Sequence, residues 1–474
     1  MNAPRWLLAL GLAGHLVFQL APAYQSVTTA PHARDYASYH YAVQAASRGL
    51  DPYDPQQLDA LAREERTRKT VQPYFYPPPF LLGMSWALPL SLVQGYLAML
   101  ALNELALAAV LAACVRWFRM PAWCVALILV AYTPIPDNAK MGQANLLVLL
   151  PALLGAGMLL DARASARRES LGGSLIGLAA MLKMSPALLL GWVALGGRRR
   201  AVGAAIVTAV ALTVGSLPLV GWQDQVRFVT EVLPGFASGS YHGLTIPLSL
   251  PSNHSIPDLW NRLWPSPSRT RLSDMAQWAS RLSSVALLTA WTLAYLRVAR
   301  VGNLVAPHTE AQNPREGVET VEVAGERGVE AARDGVGGGT GEALRRVPPP
   351  PHESREGADT DVLAVAALLV IMVLVPAYTY EHHLVFLIPT VGAAASLVGR
   401  GRRWVLAFAV LFFFLAWPLV WLRAAQDALP VVLAPLVRES KFLAAMGFFG
   451  MCGLGLRRRP ENLRPPLADG PARA

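Results

Sequence analysis

Asp35 is the residue best placed to do chemistry: a carboxylate standing alone in the run Arg34-Asp35-Tyr36-Ala37-Ser38-Tyr39-His40-Tyr41. Held among aromatics, it could take a proton from a sugar or lipid hydroxyl, provided its pKa stays below the working pH. The same residue could equally serve as the N-cap of the helix that the Tyr, Ala and Ser pattern implies. Further along, Gln143 and Asn145 open an apolar run, where amides can bind a sugar or simply join packed helices. Lys183, Arg262 and the pair His382-His383 lie at or near helix ends or loops, where cations can offset negative charge that develops at a bilayer surface. Two of these have a plainer alternative: snorkelling for Lys183, a hydrogen-bonded helix terminus for the histidines. No third ligand at metal spacing accompanies the histidines. Cys114, Cys124 and Cys452 sit in or beside apolar segments without CxxC spacing, so neither a zinc site nor a disulfide framework is supported.

The elements that position these groups follow from composition. A chain of 474 residues with 54% hydrophobic and 15% charged side chains and a mean hydropathy of +0.36 is too apolar for a soluble domain of this length. In hydrocarbon each unsatisfied backbone group costs on the order of several kcal/mol, so apolar runs near twenty residues without period-two alternation must be helices. Such runs lie at about 6–23, 79–93, 95–116, 121–135, 142–160, 171–197, 201–221, 277–298, 361–379, 383–398, 404–422 and 441–456, predicting about twelve helices. The first ends in Ala21-Pro22-Ala23, which resembles a signal-peptidase site; a retained helix is expected. The run 171–197 carries Lys183-Met184-Ser185-Pro186, where proline kinks or breaks the helix. It reads as one broken span or a hairpin, and the topology between 79 and 200 stays open.

The net charge of +10 suggests nucleic acid at first sight. The basic residues instead sit in short clusters beside apolar runs, such as Arg198 to Arg200 and Arg457 to Arg459, and read as topology signals. No basic, aromatic stretch of the kind that stacks bases is present. Two segments between the runs are read as ordered extracytoplasmic loops, 24–78 and 222–276, within a 1–300 helical core. A third, 301–360, rich in Gly, Glu, Arg and Pro, reads as a disordered cytoplasmic linker before the C-terminal helices and basic tail of 361–474. In the first loop, Gly49-Leu50-Asp51-Pro52-Tyr53 forms a turn and Tyr74-Phe75-Tyr76-Pro77-Pro78-Pro79 leads stiffly into the next apolar run.

Taken in order, the Asp-aromatic loop, the Gly-x-x-Pro-Tyr turn, the Tyr-Pro-Pro stretch, Gly142-Gln143-Ala144-Asn145, Lys183 to Pro186, Asn253-His254-Ser255 followed by Arg262, and Tyr380-Glu381-His382-His383 resemble the polyprenol-phosphate-mannose-dependent α-mannosyltransferases of glycosyltransferase family 87. The likeness runs across nearly the whole chain. It implies an all-α, polytopic GT-C-type fold with a large first extracytoplasmic loop carrying the catalytic aspartate, here Asp35. It also implies transfer of a hexose, mannose in the family's pattern, from a polyprenyl-phosphate sugar to a lipid or glycan acceptor with inversion, at the outer face of a bacterial inner membrane. His382, His383, Lys183, Arg262, Asn253, Gln143, Asn145 and Tyr39 become the expected substrate-binding set. The family usually has Gln where this chain has His254, and Trp or a similar residue where it has Tyr380, so the substrate is open to difference. The expected partners are the lipid-linked sugar, the acceptor and membrane lipids; no cofactor is assigned beyond the polyprenyl-phosphate sugar as donor substrate, and a divalent cation on the lipid phosphate stays open. A transporter or flippase of lipid-linked sugars is the competing class, but the chain shows neither an internal repeat nor matched broken helices in two halves.

Overall fold

A computed structural model describes residues 5–29, 31, 34–65, 71–160, 164–238, 241, 247–305, 353–430 and 434–457. The greater part of the expected linker, 306–352, lies outside the described residues, as does the tail beyond 457. Every regular element among the described residues is helical. Among the described residues, four helices are long and apolar enough to cross a membrane: Arg5–Thr29, Leu92–Trp117, Arg199–Phe236 and Glu381–Arg400. Six spans result if the bent pairs Ala122–Ala131 with Pro134–Met141 and Arg402–Ala416 with Leu419–Ala428 each count as one.

The difference from twelve has a physical origin. An apolar run in the sequence does not distinguish a full span from a shorter helix. Asn145–Leu159, Ser185–Leu195 and Ser440–Leu456 are apolar but short, and at ~1.5 Å per residue fifteen residues reach only about 22 Å of a ~30 Å hydrocarbon core. The run at 79–93 breaks after Pro78–Met84. Residues 222–238, expected as the start of a loop, are helical instead, beyond a kink at Gly221.

Aliphatic side chains of the Arg199–Phe236 helix, Ile206, Val207, Val210 and Val214 among them, stand exposed. So do Leu282 and Val285 in another helix and Leu406 and Phe413 in a third. Apolar exposure on this scale, on helices of this length, is accommodated by lipid and not by water. The chain is a membrane protein.

Close packing of helices uses small residues where lipid offers no hydrophobic drive between them. A Cβ on Gly173 would lie 2.0 Å from the Ala201 carbonyl oxygen, and one on Gly177 2.6 Å from that of Ala205. The Ala166–Leu182 and Arg199–Phe236 helices therefore touch backbone to backbone. The helix ending at Leu374 forms the centre of the main core, with Val362 to Leu374 buried without a break. A second core, rich in aromatics, lies under the first loop and includes Tyr36, Tyr39, Tyr41, Tyr53, Tyr74, Phe80 and Tyr96. It converts that loop into two packed helices, Asp35–Ser47 and Pro55–Glu64, the latter started by Pro55 at its first turn and by the Asp54 side chain accepting from the Gln56 amide. The functional groups sit where this core meets the membrane helices.

Candidate functional site

Asp35 opens the Asp35–Ser47 helix, yet the N-cap is Arg34, without a side-chain cap bond. The capping alternative for Asp35 therefore fails: its Oδ2 accepts a hydrogen bond from Gln143 Nε2 at 2.5 Å. Oδ1 has no partner among the described residues, and the side chain retains 21% exposure, so the carboxylate is held on one side and reachable on the other.

Gln143 is presented by a turn that requires glycine. The Pro134–Met141 helix ends at Gly142 in the left-handed conformation, φ 62°, and a Cβ there would lie 2.6 Å from both Tyr36 and Tyr96. The Oε1 of Gln143 accepts from Tyr39 and Tyr76, whose hydroxyls each lie 2.8 Å away and 2.8 Å from one another. Burial pushes both phenols well above their ordinary pKa, which keeps them as O–H donors. Because they fill the amide oxygen, the amide NH₂ must point at Asp35. Asn138, buried behind the turn, donates to Asn103 Oδ1 at 3.1 Å and braces the arrangement from the Leu92–Trp117 helix.

The basic side is assembled from three further elements. The chain breaks at Lys183, which is extended (φ −154°) between Ala166–Leu182 and Ser185–Leu195. Its ammonium donates to Asn145 Oδ1 at 2.7 Å, and Asn145 Nδ2 donates to the His382 carbonyl at 2.9 Å. The imidazole of His382 lies between two carboxylates, Nε2 4.0 Å from Asp35 Oδ2 and Nδ1 3.6 Å from Asp137 Oδ2. Asp35, Tyr39, Gln143, Asn145, Lys183 and His382 thus form one cluster. His383 plays a different part: its Nδ1 accepts from the Tyr380 amide at 3.1 Å, the hydrogen-bonded terminus that was one of its two expected roles.

Asn253 and Arg262 are engaged elsewhere. The Asn253 amide is spent on backbone, donating to the carbonyls of Leu248 and Ala377 and accepting from the Thr379 amide, so it ties two loops together. Arg262 pairs with Asp258 and Glu439. Burial nevertheless pushes Asp258 up to about 7, against the lowering effect of Arg262.

Two features had little signal in the sequence. One is Asp137, in the first turn of the short Pro134–Met141 helix, which no motif marks. The other is a buried triad, a Lys–Glu ion pair with a histidine beside it: Lys441, 0% exposed, reaches Glu381 Oε2 at 2.5 Å, and His254 Nε2 lies 2.9 Å from Glu381 Oε1. Lys441 stands near the start of an apolar helix and would pass for a helix-end charge; its partner is sixty positions away. An Asp-x-Asp triplet, Asp359-Thr360-Asp361, is present, but Asp361 accepts from Trp192 and Tyr295 and Asp359 pairs with Arg119. Among the described residues no group of three or more His, Cys, Asp or Glu side chains could hold a metal ion.

Burial raises the Asp35 pKa above the ordinary value of 3.8, while His382, the Gln143 hydrogen bond and Lys183 pull it down. A base must be ionised to act, so activity should fall with decreasing pH along a limb lying above the usual carboxylate range. Gln143→Leu removes one of the lowering contributions. The limb should move further up, and activity at neutral pH should drop about tenfold, the equivalent of the ~1.5 kcal/mol of a hydrogen bond to a charged group. A pH–rate profile of the variant superimposable on that of the wild type would show that Gln143 does not act on the base.

Residues 74–309, which include Tyr76, Gln143, Asn145, Lys183 and Arg262, match the model of glycosyltransferase family 87. Exposed apolar helices gathering one polar cluster, together with this match, define a membrane glycosyltransferase. The chain belongs to glycosyltransferase family 87. No curated protein and no solved structure matches it. Asp35 and the two histidines lie outside the matched stretch, so their roles rest on geometry.

Proposed function

We propose that the enzyme transfers a hexose, mannose by its sequence resemblance, from a polyprenyl-phosphate sugar to a hydroxyl of a lipid or glycan acceptor at the extracytoplasmic face of the membrane. The observation that carries this reading is the Asp35 carboxylate, fixed through Oδ2 by Gln143 and reachable through Oδ1, beside His382 and Lys183. The acceptor hydroxyl gives its proton to Asp35 as its oxygen bonds to the anomeric carbon. The bond from that carbon to the phosphate oxygen breaks, and the electron pair leaves with the lipid phosphate. One displacement inverts the anomeric configuration.

Phosphate is already a fair leaving group, so the protein's work is to position both substrates and to meet the charge that develops. Lys183 and His382 are the groups of this cluster suited to the phosphate oxygens. Replacing them should lower transfer without removing the base.

The histidines separate by geometry. His382→Ala should reduce transfer by about a hundredfold, within the range of groups that act on the transition state, whereas His383→Ala should cost mainly ~0.5–2 kcal/mol of stability through loss of its terminus bond. Wild-type activity in both variants would return both residues to a structural role. The reaction course itself is tested by proton NMR of the product made from a donor of defined anomeric configuration. An inverted linkage is expected; a retained one overturns the single displacement.

A further inference from the structure

We infer that the hollow between the turn at Tyr53 and the end of the Arg199–Phe236 helix is a saccharide subsite, holding neutral sugar units of the acceptor beyond the one that reacts. The inference rests on the transferase reading above. The cavity encloses about 380 Å³, within the ~300–1,000 Å³ of small-molecule sites.

Its walls are fixed. Tyr241 lines one side, its amide bonded to the Gly235 carbonyl at 3.0 Å, its hydroxyl to the Tyr53 carbonyl, and its ring edge-on to Phe75 at 5.2 Å. Gly235 permits this approach, since a Cβ there would lie 3.2 Å from Tyr241 Cα. Arg227, also in the lining, is held between Asp51 and Glu231. An aromatic ring lining the same cavity as a planar guanidinium and carboxylates suits a sugar: the C–H face packs on the ring and vicinal hydroxyls bond to the forked groups.

The charge pattern chooses among sugars. Arg227 is already matched by Asp51 and Glu231, and Asp54 adds a further carboxylate to the lining. A phosphorylated or acidic group would meet unmatched negative charge, so the ligand is neutral.

Position relates the subsite to the reaction. Tyr53 lines the cavity, and its hydroxyl donates to the Tyr76 carbonyl at 3.0 Å. The Tyr76 hydroxyl in turn reaches Gln143, which holds Asp35. Two tyrosines and Gln143 therefore separate the cavity from Asp35, and an acceptor that engages both carries more than one sugar.

Thr230 lines the cavity, is exposed, and bonds only to its own helix through the Val226 carbonyl at 3.0 Å. Thr230→Trp should fill the space. With the full chain in nanodiscs and a linear neutral hexose tetrasaccharide as probe, saturation-transfer NMR should show binding to wild type and about tenfold weaker binding to the variant at an unchanged melting temperature. The transfer assay should show the KM for an oligosaccharide-bearing acceptor rising about tenfold, with kcat and the donor KM within about twofold. Glu231→Gln, a smaller change at an exposed residue, should weaken the tetrasaccharide severalfold. Equal binding by wild type and both variants, no binding by wild type, or tighter binding of a phosphorylated saccharide each overturns the subsite. Binding as described in a protein that transfers no sugar would support the subsite and overturn the transferase reading instead.

Discussion

Asp35→Asn should leave a folded, membrane-inserted protein whose transfer rate is reduced by about 10²–10⁴-fold, the loss expected when a positioned general base is removed and its shape kept. The variant should not be less stable than wild type. Because burial raises the Asp35 pKa in the folded chain, ionisation at neutral pH works against folding. That destabilisation is present above the folded pKa and fades as pH falls through it toward the unfolded value. The neutral asparagine relieves it at all pH. A melting temperature equal to or slightly above wild type, together with lost transfer, separates a catalytic role from a structural one. A fully active variant would remove Asp35 from the mechanism.

Lys441→Met should have the largest effect on stability. Glu381 and His254 are almost without exposure, and removing one partner of a buried ion pair strands the other at a cost of about 3–5 kcal/mol. Replacing both partners should recover much of that cost, because no charge is then left unpaired. Glu381→Gln combined with Lys441→Met should therefore melt well above Lys441→Met alone in thermal denaturation of the detergent-solubilised protein. If the double variant is no more stable than the single one, Lys441 does not stabilise the fold through Glu381. The triad also joins the 253–258 and 379–383 segments to the last helix, so the single variant should also lose transfer through displacement of His382.

What could be read from the sequence depended on the range of each interaction. Asp35 stood out as an acid alone among aromatics, although the choice between a cap and a free carboxylate waited on the fold, which places the cap at Arg34; the break at Lys183 was visible because Pro186 enforces it. Gln143 was visible as an amide at the start of an apolar helix, although its choice between sugar and protein partners was not. In the folded chain its side chain is taken by Asp35, Tyr39 and Tyr76, so it holds the Asp35 carboxylate. Asn253 entered only through the family resemblance, and its amide joins loops that meet only in the folded chain, 126 positions apart at the furthest. Helix count was the weakest reading. Hydropathy measures how apolar a run is, whereas spanning also depends on length without a break. Burial by other helices can make Val362–Leu374 as apolar as lipid would. The aromatic core under the first loop lay in plain view as a run of tyrosines, but that it packs two helices around the base required their pairing in space.

The most direct test of the account is donor choice by the purified protein. Radiolabelled polyprenyl-phosphate mannose and a nucleotide-linked mannose would be offered in parallel, with a membrane lipid extract as acceptor, to wild type and to Asp35→Asn. Label entering the extract from the polyprenyl donor alone, and only with Asp35 intact, is the predicted result. Incorporation from the nucleotide sugar, or Asp35-independent incorporation from the lipid donor, would contradict it.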